Sequence, residues 1–516
     1  MKGKKVLFRA LLGVLIVMAA SCCSENVPTD NTYNYGTDGG ITSCDKLLFD
    51  EKGKADIEGT YIGNGEQEFV FTGNQTLKKD VYILKGWVYI ANGASLIVEP
   101  GTIIKGDKTT EAALVVESGG KIYAEGTSAQ PIIFTSNQVK GNRKPGDWGG
   151  VIICGKAPNN QQNDQQIEGG PRSHHGGTDV NDNSGVMSYV RIEFAGYPFQ
   201  KDKEINGLTL GSVGSGTKID HIQVSYSNDD SFEWFGGTVN CNHLIAYKGW
   251  DDDFDTDNGY KGTVQFALSV RDPKIADSSQ SNSFESDNCA DGASSATPIT
   301  SAIFSNVTVI GPNGRDNFSN DASFINGGAY NPNNGSALGK YQSAIQIRRS
   351  SRLNCFNSVF VGWPIGLILD GEKGNSIEQA KSDNLKVKNV WFANMDVVGS
   401  DANKVYADNL VTGYQVDASG KMAPVIDKTQ QSYSHTYFLD PKNGNTVKNL
   451  LELLLFDPNN IGAAYMPQAG SPLLNAASFS DASLNGLQIV SYIGAFSVGD
   501  SWMNGWTNFD PNNTDY

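Results

Sequence analysis

The chain is poor in cysteine, and the few cysteines it has form no recognisable pattern. Its 516 residues include seven, of which Cys22 and Cys23 lie together near the N-terminus. The other five are scattered, odd in number and without any CxxC spacing, and they are Cys44, Cys154, Cys241, Cys289 and Cys355. The sequence therefore shows neither a zinc site nor a disulfide framework. Cys154 and Cys241 lie within or beside apolar strand-like segments and are predicted to be buried packing residues.

A hydrophobic run long enough to cross a membrane is also missing. The apolar run from Val6 to Ala20 follows three lysines and is shorter than the roughly 20 residues that a spanning helix needs, so residues 1–21 are predicted to be an export signal. The sequence Ala19–Cys22 resembles a bacterial lipobox, which implies that Cys22 is lipidated. The polar residues 22–43 then form a flexible tether.

Positive charge is scarce. Removal of residues 1–21 takes away Lys2, Lys4, Lys5 and Arg9, which leaves 36 of the 40 basic side chains against 56 acidic ones, a formal charge of −20. Such a surface repels nucleic acid and anionic lipid, so we expect no nucleic-acid partner. The charge suits an exported protein that binds hard cations.

Helical periodicity is almost absent, and only Val447–Phe456 predicts a helix. Short strand-like segments recur instead, and the 58 glycines supply turns between them. Segments such as Asp220–Val224 and Asn242–Ile245 place similar residues at the same point, with His221 and His243 separated by 22 positions. The pattern predicts an all-β, right-handed parallel β-helix over residues 44–429, with a C-terminal cap over residues 430–516 that contains the one helix.

One short sequence motif occurs three times. It begins at Phe232, Phe254 and Phe284, with intervals of 22 and 30 residues, and each phenylalanine is followed by an acidic residue. Periods of 20 to 30 residues are typical of solenoid coils. Because side chains alternate across a strand, the phenylalanines are expected to face inward and Glu233, Asp255 and Glu285 outward, about 4.8 Å apart in successive coils.

Carboxylates at that spacing repel one another unless a cation or a cationic ligand lies on them. In an extended chain, Asp251, Asp253, Asp255 and Asp257 would share a face. The oxygen-rich set suits structural Ca²⁺ without forming an EF-hand, although Asp and Asn are also ordinary turn residues. The predicted metal ligands are Asp229, Asp230, Glu233, Asp251, Asp253, Asp255, Asp257, Glu285 and Asp287.

Several phrases resemble those of known exported proteins. Glu99–Gly106, Glu125–Thr127 and Pro131–Ser136 are similar to the opening coils of bacterial pectate-lyase-like β-helix proteins, and Gly146–Val151 is another recurring phrase of such proteins. The tail, with Ala469–Leu473, Tyr492–Phe496 and Gly505–Pro511, resembles surface lipoproteins of the Bacteroidota. The resemblance covers about residues 80–516. It implies an outer-membrane, lipid-anchored and surface-exposed protein, while the fold itself supports lyases, hydrolases, binders and adhesins.

The expected function is binding of a polymeric nutrient, a glycan or a peptide, as an accessory of an outer-membrane uptake system. One alternative is a calcium-dependent lyase acting on uronate-containing glycan, with candidate bases at Lys248, Lys261 and Arg271 and, further along, in the segment Gln346–Arg352. A polygalacturonase-like hydrolase is disfavoured because no Gly-His-Gly follows the paired carboxylates, and an adhesive or structural role is the remaining alternative. A Lys or Arg within reach of the carboxylates would favour the lyase.

Overall fold

The computed structural model describes residues 60–161, 164–199, 204–314, 318–455 and 465–516. The predicted signal peptide, the lipidation site Cys22, the tether and Cys44 lie outside these residues. Within the described ranges, no helix is long and apolar enough to span a membrane.

Two long parallel sheets form the body of the molecule. The first sheet contains β1 (Thr60–Ile62), β3 (Asn74–Leu77), β4 (Val81–Leu84), β6 (Ser95–Val98), β7 (Ile103–Gly106), β9 (Lys121–Glu125), β10 (Ile132–Ser136), β14 (Gly185–Glu193), β16 (Lys218–Ser225), β18 (Asn240–Tyr247), β20 (Thr263–Val270), β22 (Ile303–Ile310), β24 (Asn354–Phe356), β25 (Val359–Val361), β27 (Lys386–Lys388), β28 (Trp391–Ala393) and β32 (Thr446–Lys448). The second sheet contains β2 (Phe69–Phe71), β5 (Trp87–Ile90), β8 (Ala113–Val116), β11 (Gly150–Cys154), β15 (Leu208–Gly211), β17 (Phe232–Phe235), β19 (Phe254–Asp257), β21 (Phe284–Ser286), β23 (Ser343–Ile347), β26 (Ile365–Leu369) and β29 (Val397–Ser400). Successive coils pair in parallel, which confirms the predicted all-β parallel β-helix.

Smaller elements lie outside the two sheets. Two antiparallel hairpins are formed by β12 (Gln165–Gln166) with β13 (His174–His175) and by β30 (Leu410–Val416) with β31 (Met422–Asp427). The described α-helices, α1 (Ser376–Lys381) and α2 (Tyr433–Phe438), have six residues each. Helix α2 packs on β26 and β29, the last two strands of the second sheet.

The long strands of the first sheet each bend at one residue with positive φ. In β14 this residue is Tyr189, and the next coils have His221, His243 and Phe266 at the same position. The bend lets one strand pair with two separate strands, as β14 does with β9 before Tyr189 and with β10 after it. Each coil therefore presents three faces, two from the first sheet and one from the second.

The core lies between these faces and confirms the predicted alternation. Phe232, Phe254 and Phe284 are paired in register and fully buried. The ring centroids lie 5.7 Å apart between Phe232 and Phe254 and 5.5 Å apart between Phe254 and Phe284. Cys154 and Cys241 are buried, as predicted, and both are free thiols.

The helix predicted over Val447–Phe456 is wrong over its described residues. Strand β32 adds to β28, and a 3-10 turn follows over Leu450–Leu453 and ends at Leu454 in a left-handed conformation. Within this segment Leu453 is buried while Leu451 is 82% exposed. Pairing with the sheet overrides the local preference for helix.

Residues 465–516 lie along the outside of the first sheet. Asn357 donates a hydrogen bond to the Ser478 carbonyl, Asn306 to that of Tyr492, and Gln223 to that of Asn508. At the other end Lys105 Nζ donates to the Tyr516 carbonyl, 2.8 Å away. This segment runs back over many coils, and we call it the C-terminal strap.

Candidate metal centre

The predicted carboxylate ladder is present on the second sheet. Glu233 pairs with Asp255, which pairs with Glu285, while Thr209 and Gln346 occupy the same position in the coils on either side. Because the phenylalanine before each acid faces the core, the three acids face outward. The sequence period therefore located three adjacent carboxylates correctly.

The ladder forms one wall of an acidic cavity with a volume of about 620 Å³. Its acidic lining side chains are Glu168, Glu204, Asp229, Asp230, Glu233, Asp251, Asp252, Asp255, Asp277 and Glu285. Arg348 and Arg349 are the cationic side chains of the lining. The acids come from the strands of the ladder, from the turns before β17 and β19, and from loops distant in sequence.

Two groups of three carboxylates converge within this cavity. Oxygens of Asp229, Asp230 and Asp251 lie within 4.8 Å of one another, and so do oxygens of Asp230, Glu233 and Asp255. Asp230 belongs to both groups. Oxygen-only ligand sets at such spacing suit Ca²⁺, whose ligands lie at about 2.3–2.6 Å.

Burial of these acids makes their negative charge costly. Desolvation raises the pKa of Asp229, Asp230, Glu233 and Asp255 well above the ordinary value, and repulsion between neighbouring carboxylates raises it further. The same causes act on Asp251 and Asp252. A bound cation would remove the repulsion and replace the lost hydration.

The hydrogen bonds within the cavity orient these acids but leave some oxygens without partners. Asp230 Oδ1 accepts from the Asp252 amide at 2.8 Å, and Asp251 Oδ2 accepts from Ser279 Oγ at 2.6 Å. Among the described residues, the buried Oδ1 atoms of Asp251, Asp255 and Asn228 have no hydrogen-bond partner. Buried oxygens without donors fit a metal ion better than they fit a finished polar network.

Asp253 is not placed to ligate a metal in this cavity. Its carboxylate is fully buried, 2.9 Å from Arg271 Nη1, and accepts a second hydrogen bond from Ser269 Oγ. The expectation that Asp251, Asp253 and Asp255 share one face is therefore wrong. The alternation begins only with β19 at Phe254, and the preceding residues form a turn.

Asp257 and Asp287, also predicted as ligands, lie just beyond the cavity lining. Asp287 is held by Arg348 Nε at 2.8 Å and by Arg349. Burial raises the pKa of Asp257 to about 7, and repulsion by Asp287 adds to that shift. These two acids form an arginine-neutralised continuation of the ladder.

Four cavity acids were not predicted as ligands: Glu168, Glu204, Asp252 and Asp277. Asp252 lies within the predicted acidic run, so its inclusion could have been foreseen. Glu168, Glu204 and Asp277 lie on connections outside the repeat pattern, and no spacing signal identifies them.

The candidate bases lie in different environments. Lys248 Nζ is 3.3 Å from Asp272, Arg271 is buried against Asp253, and Lys261 is exposed and does not line the cavity. Arg348 does line the cavity, but it is ion-paired with both Glu285 and Asp287.

Four tryptophans of the coils do not provide exposed stacking platforms for sugar rings. Trp148, Trp234, Trp250 and Trp363 are all fully buried. Trp234 stacks on Tyr260 with ring centroids 5.4 Å apart, within the core. Trp234 and Trp250 therefore face inward.

The parallel coils agree with a comparison of protein families. The pectate-lyase-like β-helix domain matches residues 70–432, which is most of the chain. The chain belongs to this family. Searches of curated proteins and of solved structures gave no match. Membership of the pectate-lyase-like β-helix family establishes the architecture, while the ligand must be argued from the cavity.

Proposed function

We propose that this pectate-lyase-like β-helix protein binds calcium in the acidic cavity and uses it to hold a polymeric ligand. The observation that carries the proposal is that two sets of three carboxylates share Asp230. They lie beside buried oxygens that accept no hydrogen bond from the described residues. Such a site binds a hard divalent cation through oxygen ligands.

The spacing of the carboxylate oxygens in the cavity favours a small metal ion over an organic cation. The carboxylate oxygens of each group lie within 4.8 Å of one another, a spacing that a single small ion can bridge. A polyamine would need its charges spread along a groove. Two ions sharing Asp230 would offset half of the net charge that the ionised acids and the two arginines give the lining, and would leave coordination positions open to a ligand.

The ligand class follows from the same charge. A free acidic cavity repels uronates, but calcium ions with open coordination positions can accept carboxylate oxygens of a carboxylate-rich glycan as further ligands. The role proposed is capture of a polymer, a glycan or a peptide, by an exported lipoprotein that serves a nutrient-uptake system. Anchorage through Cys22, display on the outer membrane and partnership with an uptake complex belong to this proposal.

A calcium-assisted lyase is the second candidate, and the position of Arg348 is the observation that favours it. This guanidinium lines the cavity next to the ladder, where a base would be needed. Its ion pairs with Glu285 and Asp287 hold it as a protonated counter-charge, because these acids outweigh the effect of burial and raise the pKa of Arg348. Binding is therefore the better supported function.

Calcium binding is tested by calorimetric titration of the purified protein and of two variants. Asp230→Asn keeps an oxygen that can accept from the Asp252 amide but removes the charge common to both groups, so we expect it to weaken or abolish calcium binding. The control Asp417→Asn alters an exposed acid at the tip of the β30–β31 hairpin and should bind as the natural protein does. Equal calcium binding by all three proteins would contradict the site.

Ligand capture is tested on the same proteins with immobilised polygalacturonate, alginate and a neutral glucan, with calcium or in calcium-depleted buffer. Retention on an acidic glycan only with calcium supports the proposal, whereas equal retention with and without calcium would contradict a role of the ion in capture. Ultraviolet absorbance from an unsaturated product, lost in Arg348→Lys, would establish the lyase instead. Calcium binding with neither retention nor product would direct the search to peptides.

A further inference from the structure

A second cluster of metal-binding side chains lies on the first sheet, away from the acidic cavity. His221 and His243 occupy the bend position of successive coils, with φ of 56° and 54°. Tyr189 precedes them and Phe266 follows them at the same position. The four rings form a stack with centroid separations of 4.3, 4.2 and 5.3 Å.

Stacking and backbone conformation alone would explain aromatic residues at these bends. Histidine is also among the residues that tolerate a left-handed conformation. Neither reason requires a carboxylate, yet Asp220 Oδ1 lies 2.9 Å from the Nδ1 atoms of both histidines. Two imidazole nitrogens and a carboxylate oxygen thus converge within 4.8 Å.

The hydrogen bonding of this cluster is incomplete. His243 Nδ1 bonds to Asp220 Oδ1 with normal geometry. His221 Nδ1 lies at the same distance but is buried and, among the described residues, makes no hydrogen bond. The side chain of His221 is 11% exposed, so this ring nitrogen is a buried polar atom aimed at the shared oxygen without a satisfactory partner.

The cluster is enclosed but can be reached from solvent. Trp506 and Trp502 of the C-terminal strap cover the histidines, with ring centroids 5.6 Å from His221 and 5.2 Å from His243 respectively. The side chains of Asp220 and His243 are each 23% exposed, which leaves a path for an ion and its waters. An apolar shell around a small ligand set strengthens metal coordination.

We propose that Asp220, His221 and His243 form a site for a divalent transition-metal ion of the zinc type. Neutral imidazole nitrogens and a carboxylate suit zinc and its neighbours, whereas the oxygen-only cavity suits calcium. The site offers three protein ligands and leaves a position for water or for a ligand donor. Because the ligands come from β16 and β18, the ion links two successive coils beneath the strap.

The test is a calorimetric titration of the purified protein with zinc in excess calcium, added so that calcium rather than zinc fills the acidic cavity of the proposed function. We expect one zinc per chain. His243→Phe keeps an aromatic ring in the stack, as Phe266 does in the next coil, and should lower zinc affinity at least tenfold, by analogy with the roughly 10–100-fold cost of losing an outer-shell partner. Asp220→Asn should have the same effect, and His435→Asn serves as the control because His435 pairs with Asp408 without a second histidine.

Cobalt provides an independent readout, since its visible spectrum reports ligation by nitrogen and changes when a histidine ligand is lost. Circular dichroism and the zinc-free melting temperature establish whether each variant is folded. Loss of zinc binding and of the cobalt spectrum in folded His243→Phe or Asp220→Asn, with retention in His435→Asn, supports the site. Absence of zinc binding in the natural protein, equal binding in the folded variants, or equal loss in the control would overturn it.

Discussion

The calcium-free protein is predicted to lose stability as the pH rises from 5 to 8. The pKa of Asp257 is about 7 in the folded chain, against an ordinary value of 3.8, because of burial and of repulsion by Asp287. The folded state therefore holds the proton more tightly than the unfolded state. The resulting stabilisation is fully present below pH 3.8 and is lost as the pH rises through 7.

The magnitude follows from the two pKa values. A carboxyl group shifted from 3.8 to about 7 loses about 2.5 kcal/mol of stabilisation between pH 5 and pH 8. Solvent screening at this partly exposed side chain makes the figure an upper value for Asp257. The cavity acids Asp230, Glu233 and Asp255 have raised pKa values as well and add a loss of the same sign.

The assay is urea unfolding followed by tryptophan fluorescence at pH 5 and pH 8, in calcium-depleted buffer and with saturating calcium. Calcium should flatten or reverse the pH dependence, because the ion replaces protons on the carboxylates. Asp257→Asn should reduce the loss seen without calcium, while the exposed control Asp417→Asn should not. Equal stability of the calcium-free protein at both pH values, or an unchanged loss in Asp257→Asn, would refute the reasoning.

Three further changes probe the cavity, the core and the N-terminus. Asp255→Asn should lower the unfolding free energy in saturating calcium and raise it slightly in calcium-depleted buffer, where a repelling charge is removed; a loss of equal size in both buffers would contradict the calcium ladder. Asp253→Asn should lower the unfolding free energy by about 3–5 kcal/mol with or without calcium, because it leaves the buried Arg271 guanidinium without its anionic partner. A change in urea midpoint that differs between the two buffers would instead assign Asp253 to the metal site. Cys22→Ala should release the protein from the membrane fraction, and retention there would contradict lipid anchorage.

The repeated motif correctly predicted the part of the site that lies within adjacent paired strands. Phe232, Phe254 and Phe284 lie at strand starts, and the alternation of side chains fixes the outward direction of Glu233 and Asp255 once the coils are in register. Alternation stops where the strand stops, and for that reason the acidic run before β19 was misread. Asp253 turns away to Arg271, a partner 18 residues along the chain.

In the C-terminal region, by contrast, the local sequence pattern did not predict the structure. The segment that begins at Val447 has a helical pattern in isolation. Its first residues nevertheless pair with the first sheet as part of β32, and Leu450–Leu453 form a 3-10 turn. The local sequence pattern does not predict that Trp502 and Trp506 pack over His221 and His243. The proximity of these rings is a result of chain path and not of periodicity.

The sequence by itself determined the coil repeat, the inward phenylalanines and the ladder of Glu233, Asp255 and Glu285, because each depends on spacing within and between adjacent strands. Only the tertiary structure decided which acids converge. Glu168, Glu204 and Asp277 reach the cavity on connections whose paths depend on packing against coils far away in sequence. Burial then sets the pKa values and the cost of charge, and burial is a property of the assembled fold.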